Sequence, residues 1–273
     1  MTKTLNYPKF TLKEKASQEE IDFFNQYGFI HYTRFITPEH AAKVAAAIDV
    51  KSDEIVAKQL DKINGIPIKF GIDEHGKKVV QRFPYTSWHV NEVAALYDDP
   101  RLKSLEVFLP NTKYPKRIGL KEKDGVVANH YFNAQESGYK QLGWHTDVAR
   151  EFALGGKMYT MLNVGIYLTN SGPVNGGLRA IPGTHKDGSF KVLFRKTQVL
   201  DTSEDPNEVM IEAEAGDLCV HDGRVWHRVA MSPHQGALSH RRVMYVAYLC
   251  GPADERHENS KTPFYHRFLG LAK

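Results

Sequence analysis

A mainly β fold, a sandwich or barrel with a helical cover at its N-terminal end, is what the chain predicts. Three observations carry it. From about residue 126 onward, short runs rich in β-branched and aromatic residues alternate with Gly, Pro and Asn at close spacing. Before that point the start and stop signals are mostly those of helices. The 273 residues suffice for one sizeable core, and neither a repeat nor a low-complexity linker divides them. The expected organisation is a single domain over 1–273, with helical cover and edge strands over 1–125, the β core over 126–250 and a tail over 251–273.

The elements follow in order. Ser17 and Glu20 have capping-box spacing, Ile21, Phe23, Phe24 and Tyr27 make an apolar stripe, and Gly28 suits a left-handed stop, which together predict a helix over 17–28. A short strand is expected at 29–32. Thr37-Pro38 opens a second helix through Ala41, Val44, Ala45 and Ile48, with Pro at its first position. His31 and His40 read as ordinary polar residues. Residues 63–90 alternate around Glu74-His75-Gly76-Lys77, a hairpin turn. Helical patterns return at 91–97 and at 100–109, the latter opening at Asp99-Pro100. The basic run Lys113, Lys116, Arg117, Lys121 and Lys123 reads most simply as a solvated connector; its functional alternative is a cationic lip for an anionic substrate. Strands are expected at 126–133, 158–168, 178–182, 190–200, 208–213, 217–221, 225–230 and 242–249, and a docking helix at 264–269.

Composition narrows the function. The net charge of +4 is spread among interspersed acids and bases, which argues against a nucleic-acid surface. The opening residues lack the apolar core of a signal peptide, and no run approaches a membrane span. Cys219 and Cys250 are the two cysteines, too few for a disulfide framework or a CxxC zinc site. A cytoplasmic protein with a small-molecule substrate, and with neither nucleic acid nor membrane as partner, is the expectation.

Gly143-Trp144-His145-Thr146-Asp147 offers an imidazole and a carboxylate two residues apart, and in a strand such residues share a face. The spacing alone is weak. With 13 His and 15 Asp in the chain, chance supplies about 0.7 such triplets, and a second one exists at His185-Lys186-Asp187. The rival sits in a Gly-Pro-rich turn, which favours the first pair. A third ligand is offered twice in the segment from Gly216 to His227, by His221 and by His227, and the residues by themselves leave both open.

Four blocks together resemble the phytanoyl-CoA dioxygenase family. Asn175-Gly-Gly-Leu-Arg-Ala-Ile-Pro-Gly-Thr-His185 resembles its loop signature, Trp144-His145-Thr146-Asp147 its first ligand pair, and Gly216-Asp217 through His227 its distal-histidine segment. Ser239-His240-Arg241-Arg242-Val243 is similar to the strand that carries its 2-oxoglutarate arginine. The resemblance implies a double-stranded β-helix, a jelly-roll relative of the cupins, and an oxygenase using Fe(II), 2-oxoglutarate and O2. It implies His145, Asp147 and His227 as a facial triad, and Arg241, in preference to Arg242, as the partner of the 2-oxoglutarate carboxylate. Relatives often follow the distal histidine with Gly-Ser, where this chain has Arg228-Val229, so Asn163 and Asn129 are candidates for the missing hydrogen bond. Retention of Asp147, which halogenating relatives lack, points to hydroxylation-type chemistry. Arg150, Trp144, Tyr131 and Tyr159 are candidate substrate contacts, each equally compatible with a surface or core role. The expected substrate is a small polar metabolite, anionic if the basic run and Arg150 face it. Two other readings stay open: a cupin-like metal enzyme without 2-oxoglutarate, and a degenerate family member acting as a binding module.

Overall fold

Helix start and stop signals set the N-terminal cover in place. The computed structural model describes residues 6–149, 152, 159–264 and 266. In α1 (Gln18–Tyr27) both halves of the capping box form: the Glu20 N–H donates to Ser17 Oγ at 3.3 Å, and the Ser17 N–H donates to the Glu20 carboxylate at 2.7 Å. Gly28 takes φ 78°, which a side chain would resist, and its N–H closes the helix on the Phe24 carbonyl at 2.7 Å. The chain turns there directly into β1 (Phe29–Tyr32). Thr37 caps α2 (Pro38–Ala57), which buries Ala41, Val44, Ala45, Ile48 and Ile55 along one side. Between α3 (Asn91–Tyr97) and the basic run, Pro100–Phe108 is a 3-10 helix. Its buried residues Leu102, Leu105 and Phe108 recur every three residues, the period of that tighter helix.

After the small hairpin of β2 (Lys62–Ile63) and β3 (Ile66–Pro67) come β4 (Lys69–Ile72), β5 (Lys78–Phe83), β6 (Arg117–Ile118) and β7 (Val127–Tyr131). Next are β8 (Leu142–His145), β9 (Met161–Tyr167), β10 (Gly177–Ala180) and β11 (Val209–Ile211). The last three are β12 (Leu218–Asp222), β13 (His227–Ala230) and β14 (Arg241–Leu249). They make a major sheet in the order β1-β12-β9-β14-β7-β5-β4, with β6 on the end of β14, and a minor sheet in the order β11-β10-β13-β8. All pairings between these strands are antiparallel. The two sheets stack as the sandwich the pattern predicts; Leu178 of the minor sheet is buried between them, while Leu162, Val164, Ile166, Val220 and Val246 are buried on the opposite face of the major sheet, the one Arg242 shares. Helix α2 covers the outer face of the major sheet, where its Asp49 accepts from Arg242 of β14 at 2.6 Å.

Two expectations fail for identifiable reasons. The strand expected at 190–200 is a short helix, Ser189–Phe194, followed by turns. Its aromatic positions Phe190 and Phe194 are four apart and both exposed, while Val192 and Leu193 are buried, a helical distribution that strand alternation cannot produce. Conversely β8 is a strand that the pattern leaves out, being four residues long and interrupted by Gly143. The tail helix expected at 264–269 falls outside the described residues, Phe264 and His266 excepted. Among the described residues no helix is long and apolar enough to cross a membrane.

His31 is a core polar residue rather than a ligand. Its Nε2 lies 2.8 Å from Asp217, whose two oxygens also accept from the Arg34 and Glu214 backbone N–H groups at 2.9 Å each. This buried knot ties β1 to β12 at the edge of the major sheet. Asp217→Ala leaves three donors unpaired and is expected to cost about 3 kcal/mol, read as a lowered urea midpoint at unchanged slope.

Candidate functional site

Backbone register brings two imidazoles together. His145 ends β8 and His227 begins β13 directly opposite it, with ring centroids 4.1 Å apart. Asp147 lies past the end of β8, in the turn that follows, so the pair does not meet through strand alternation. Thr146 bends the chain: its hydroxyl donates to the Val192 carbonyl at 3.2 Å and its N–H to Gln198 Oε1 at 3.1 Å. The ligand atoms of His145, Asp147 and His227 then lie within 4.8 Å of one another. His185 is elsewhere, packed against Gly28 with Nε2 on the Asn25 carbonyl at 3.1 Å.

The three side chains are prepared for a cation. Nδ1 of His145 lies 2.8 Å from the Gly143 carbonyl and Nδ1 of His227 lies 2.9 Å from that of Val225. A carbonyl only accepts, so each Nδ1 carries the proton and each Nε2 keeps its lone pair. Burial lowers the pKa of both imidazoles, and for His227 the neighbouring His145 and His221 add to it, which keeps them neutral. Burial acts to raise the Asp147 carboxyl, but His227, His221 and His145 outweigh it and hold the group well below the usual carboxylate range. Two neutral imidazoles and one carboxylate are the protonation state a divalent metal requires.

The major sheet supports this trio from across the gap. His221 on β12 and Asn163 on β9 are register partners, and His221 Nε2 and Asn163 Nδ2 each lie 3.2 Å from the same Asp147 oxygen, Oδ2. His221, set aside in favour of His227, therefore belongs to the site, with its ring centroid 4.3 Å from that of His227. It acts on the carboxylate rather than joining the three-residue cluster. Asn163 touches that carboxylate too, a role that its sequence position did not suggest.

These residues line a cavity of about 630 Å³ between the sheets, together with Asn129, Tyr131, Tyr139, Val229 and Tyr245. Oδ1 of Asn129 is buried there without a hydrogen-bond partner. Arg241 lies behind Tyr131 and Tyr245, next to Leu178 and Val229, which line both this cavity and a small neighbouring one. Its guanidinium stacks 4.5 Å over the Tyr131 ring, and Nη1 donates to the carbonyls of Asn175 at 3.0 Å and Ala230 at 3.2 Å. Nη2 is buried without a partner, and among the described residues no carboxylate pairs with this cation. The Asn175-Gly176 loop makes that cradle, for a Cβ on Gly176, at φ 83°, would meet the Ala230 carbonyl and Arg241 Nη1. Arg242 points to the opposite face, toward Asp49.

Four candidates stand differently. Trp144 is fully buried on the other face of β8 from His145, its Nε1–H on the Ser203 carbonyl at 2.8 Å, so alternation removes it from the cavity. Tyr159 packs edge-on against Tyr114 and abuts Gly251, outside the cavity lining. Arg150 lies outside the described residues. Val229 presents methyl groups where relatives place serine, while Arg228 points away from the cavity and pairs with Glu208 at 2.7 and 2.8 Å. The basic run is largely consumed by structure: Lys116 binds the Glu106 and Leu109 carbonyls, Arg117 pairs with Glu122 and Lys121 with Glu255, and of the run Lys123 lines the cavity.

The sequence profile of the family described as phytanoyl-CoA dioxygenase (PhyH) matches residues 24–230, well over half of the chain and spanning the triad. The chain belongs to the phytanoyl-CoA dioxygenase family. Among solved structures, AviO1 from Streptomyces viridochromogenes is 20% identical with a TM-score of 0.59, over 89% of this chain and 99% of its own. The non-haem alpha-ketoglutarate-dependent carbocyclase SnoK of nogalamycin biosynthesis is 17% identical with a TM-score of 0.61, over 97% of this chain and 94% of its own. The epimerase SnoN, in complex with Fe3+, alpha-ketoglutarate and nogalamycin RO, is 13% identical with a TM-score of 0.59, over 89% and 86%. At these identities the likeness is one of fold, the jelly-roll architecture that the two stacked sheets display. No curated protein sequence matches the chain.

A hydrogen-bonded second layer typically governs metal affinity about ten- to a hundredfold. Asn163→Ala is therefore expected to weaken Fe(II) binding by about tenfold, measured anaerobically by chelator competition, with the thermal midpoint as the check on folding.

Proposed function

We propose that this member of the phytanoyl-CoA dioxygenase family is a non-haem Fe(II)- and 2-oxoglutarate-dependent dioxygenase that hydroxylates, or otherwise oxidises, a small polar metabolite. One observation carries the reading. A two-imidazole, one-carboxylate cluster lines the cavity, and behind the Tyr131, Leu178, Val229 and Tyr245 that this cavity shares with a small neighbouring one lies a guanidinium with a buried, unpartnered Nη2 and, among the described residues, no carboxylate. A buried cation without a counter-ion costs several kcal/mol, and a ligand carboxylate removes that cost.

The donor set fits the group. His145, Asp147 and His227 would hold iron on one face and leave positions for an exogenous chelate and O2. When bound, iron with 2-oxoglutarate and O2 supplies oxidation of a substrate C–H bond, the co-substrate leaving as succinate and CO2. The chain's own residues bind and orient. Arg241 would receive the distal carboxylate of 2-oxoglutarate through Nη2, while the Asn175 and Ala230 carbonyls and the Tyr131 ring keep the guanidinium in place. Leu178 and Val229 would pack on the methylenes between, and Asn129 offers an amide to the chelate. His221 and Asn163 would hold the Asp147 rotamer so that the site changes little on loading.

Anaerobic addition of Fe(II) and then 2-oxoglutarate is expected to produce the visible charge-transfer band of a chelated keto acid. His145→Ala and His227→Ala should lose it. Arg241→Met should retain iron but need about a hundredfold more 2-oxoglutarate. A wild-type sample with bound Fe(II) and no band would favour a metal enzyme that does not use 2-oxoglutarate. A chain that fails to bind Fe(II) would favour a binding module.

A further inference from the structure

A second cation for which the described residues hold no carboxylate lines the cavity of the His145–Asp147–His227 cluster. Lys69 begins β4, and its direct cross-strand partner on β5 is Arg82, so two positive side chains sit opposite each other. Like charges in that position destabilise a strand pair. The register also shifts between Lys69 and Phe70, an irregularity of the kind that re-aims side chains beside binding sites. Arg82 in turn is the register partner of Asn129 on β7, so Lys69, Arg82 and Asn129 form one row on the inner face of the major sheet. All three line the cavity.

The two cations are placed differently. Arg82 donates to Asp124 at 2.7 Å. Lys69 is half-buried with its ammonium 4.8 Å over the Tyr139 ring, and among the described residues it pairs with no carboxylate. Burial first, and then the Arg82 charge, pull its pKa down to about 8. A lysine in this setting is stabilised by whatever anion enters. Arg241 stands on a different strand: β14 and β4 are three strand spacings apart, about 14 Å between backbones, with β7 and β5 between them. Pro67, Phe70, Val127 and Leu142 add apolar lining, and Asp124, the partner of Arg82, lines the cavity as well.

We propose that Lys69, with Arg82 across the strand pair, is the specificity element of this cavity, selecting a substrate that carries a carboxylate, phosphate or sulfate on an otherwise apolar body. This deepens the oxygenase reading and rests on it only in calling the bound anion a substrate. The subsite rests on two strands of the N-terminal third rather than on the basic run at 113–123, of which Lys123 also lines the cavity.

The test uses benzoate and its neutral isostere benzamide as probes, titrated calorimetrically into the anaerobic protein loaded with Fe(II) and 2-oxoglutarate. Wild type should bind benzoate about tenfold or more tighter than benzamide. Lys69→Met should erase that preference, and Lys69→Arg should keep it. The 2-oxoglutarate titration of Lys69→Met should coincide with that of wild type, which also verifies its fold. The proposal is overturned if wild type does not prefer benzoate, whether by equal binding or by none, or if Lys69→Met retains the preference. It is equally overturned if Lys69→Met loses 2-oxoglutarate binding instead, which would assign the pair to the co-substrate. Because the readout is the difference Lys69 makes, it stands whether or not the charge-transfer band forms. A missing band defeats the oxygenase reading alone.

Discussion

The pairing of β13 with β8 sets His145 opposite His227, and the rest of the site is arranged around that register. A slip of one residue in either strand would turn that strand's imidazole out of the sandwich, since strand alternation has a period of two. The constraint is enforced from both sides. Alternation buries Trp144 on the far face of β8, and Val229 follows His227 on the near face of β13. Across the gap, the β12–β9 register presents His221 and Asn163 together to one oxygen of Asp147. The candidate metal centre thus bridges the two sheets, with ligands from one and their support from the other.

Charge inside the cavity is unbalanced in a directed way. Burying a cation without an acid is costly, and among the described residues neither Arg241 nor half-buried Lys69 has a carboxylate partner. Each is partly stabilised by other means: backbone carbonyls and a tyrosine face for Arg241, a tyrosine face for Lys69. Neither arrangement supplies a full counter-charge, so both positions favour an anionic guest. Two strands, β7 and β5, lie between the strands that carry them, so under the proposed reading the co-substrate and a second anion would be met at different places.

Much of this was legible in the chain. The α1 boundaries follow from Ser17, Glu20 and Gly28 because capping is local chemistry, readable within four residues. The choice of Arg241 over Arg242 follows from alternation counted along one strand. The loop signature that carried the family resemblance has a physical role that the letters do not state: its Asn175 carbonyl and the bare Cα of Gly176 form the cradle of Arg241. What was not legible depends on contacts between distant strands. His221 and His227 could not be ranked by local pattern, because both enter the site from different sheets. Lys69 and Arg82 look like ordinary charges in an alternating run until β4, β5 and β7 are laid side by side. Trp144, as compatible with a core role as with a substrate contact in the sequence, takes the core role because alternation puts it on the face of β8 away from His145.

The most direct measurement of the central claim is CO2 release from 2-oxoglutarate labelled at its C1 carboxylate, with Fe(II) and O2 present. Release that requires both, and that His227→Ala abolishes while the variant remains folded, is the predicted result. Release by His227→Ala at the wild-type rate, or none that depends on Fe(II) in wild type, would contradict the account.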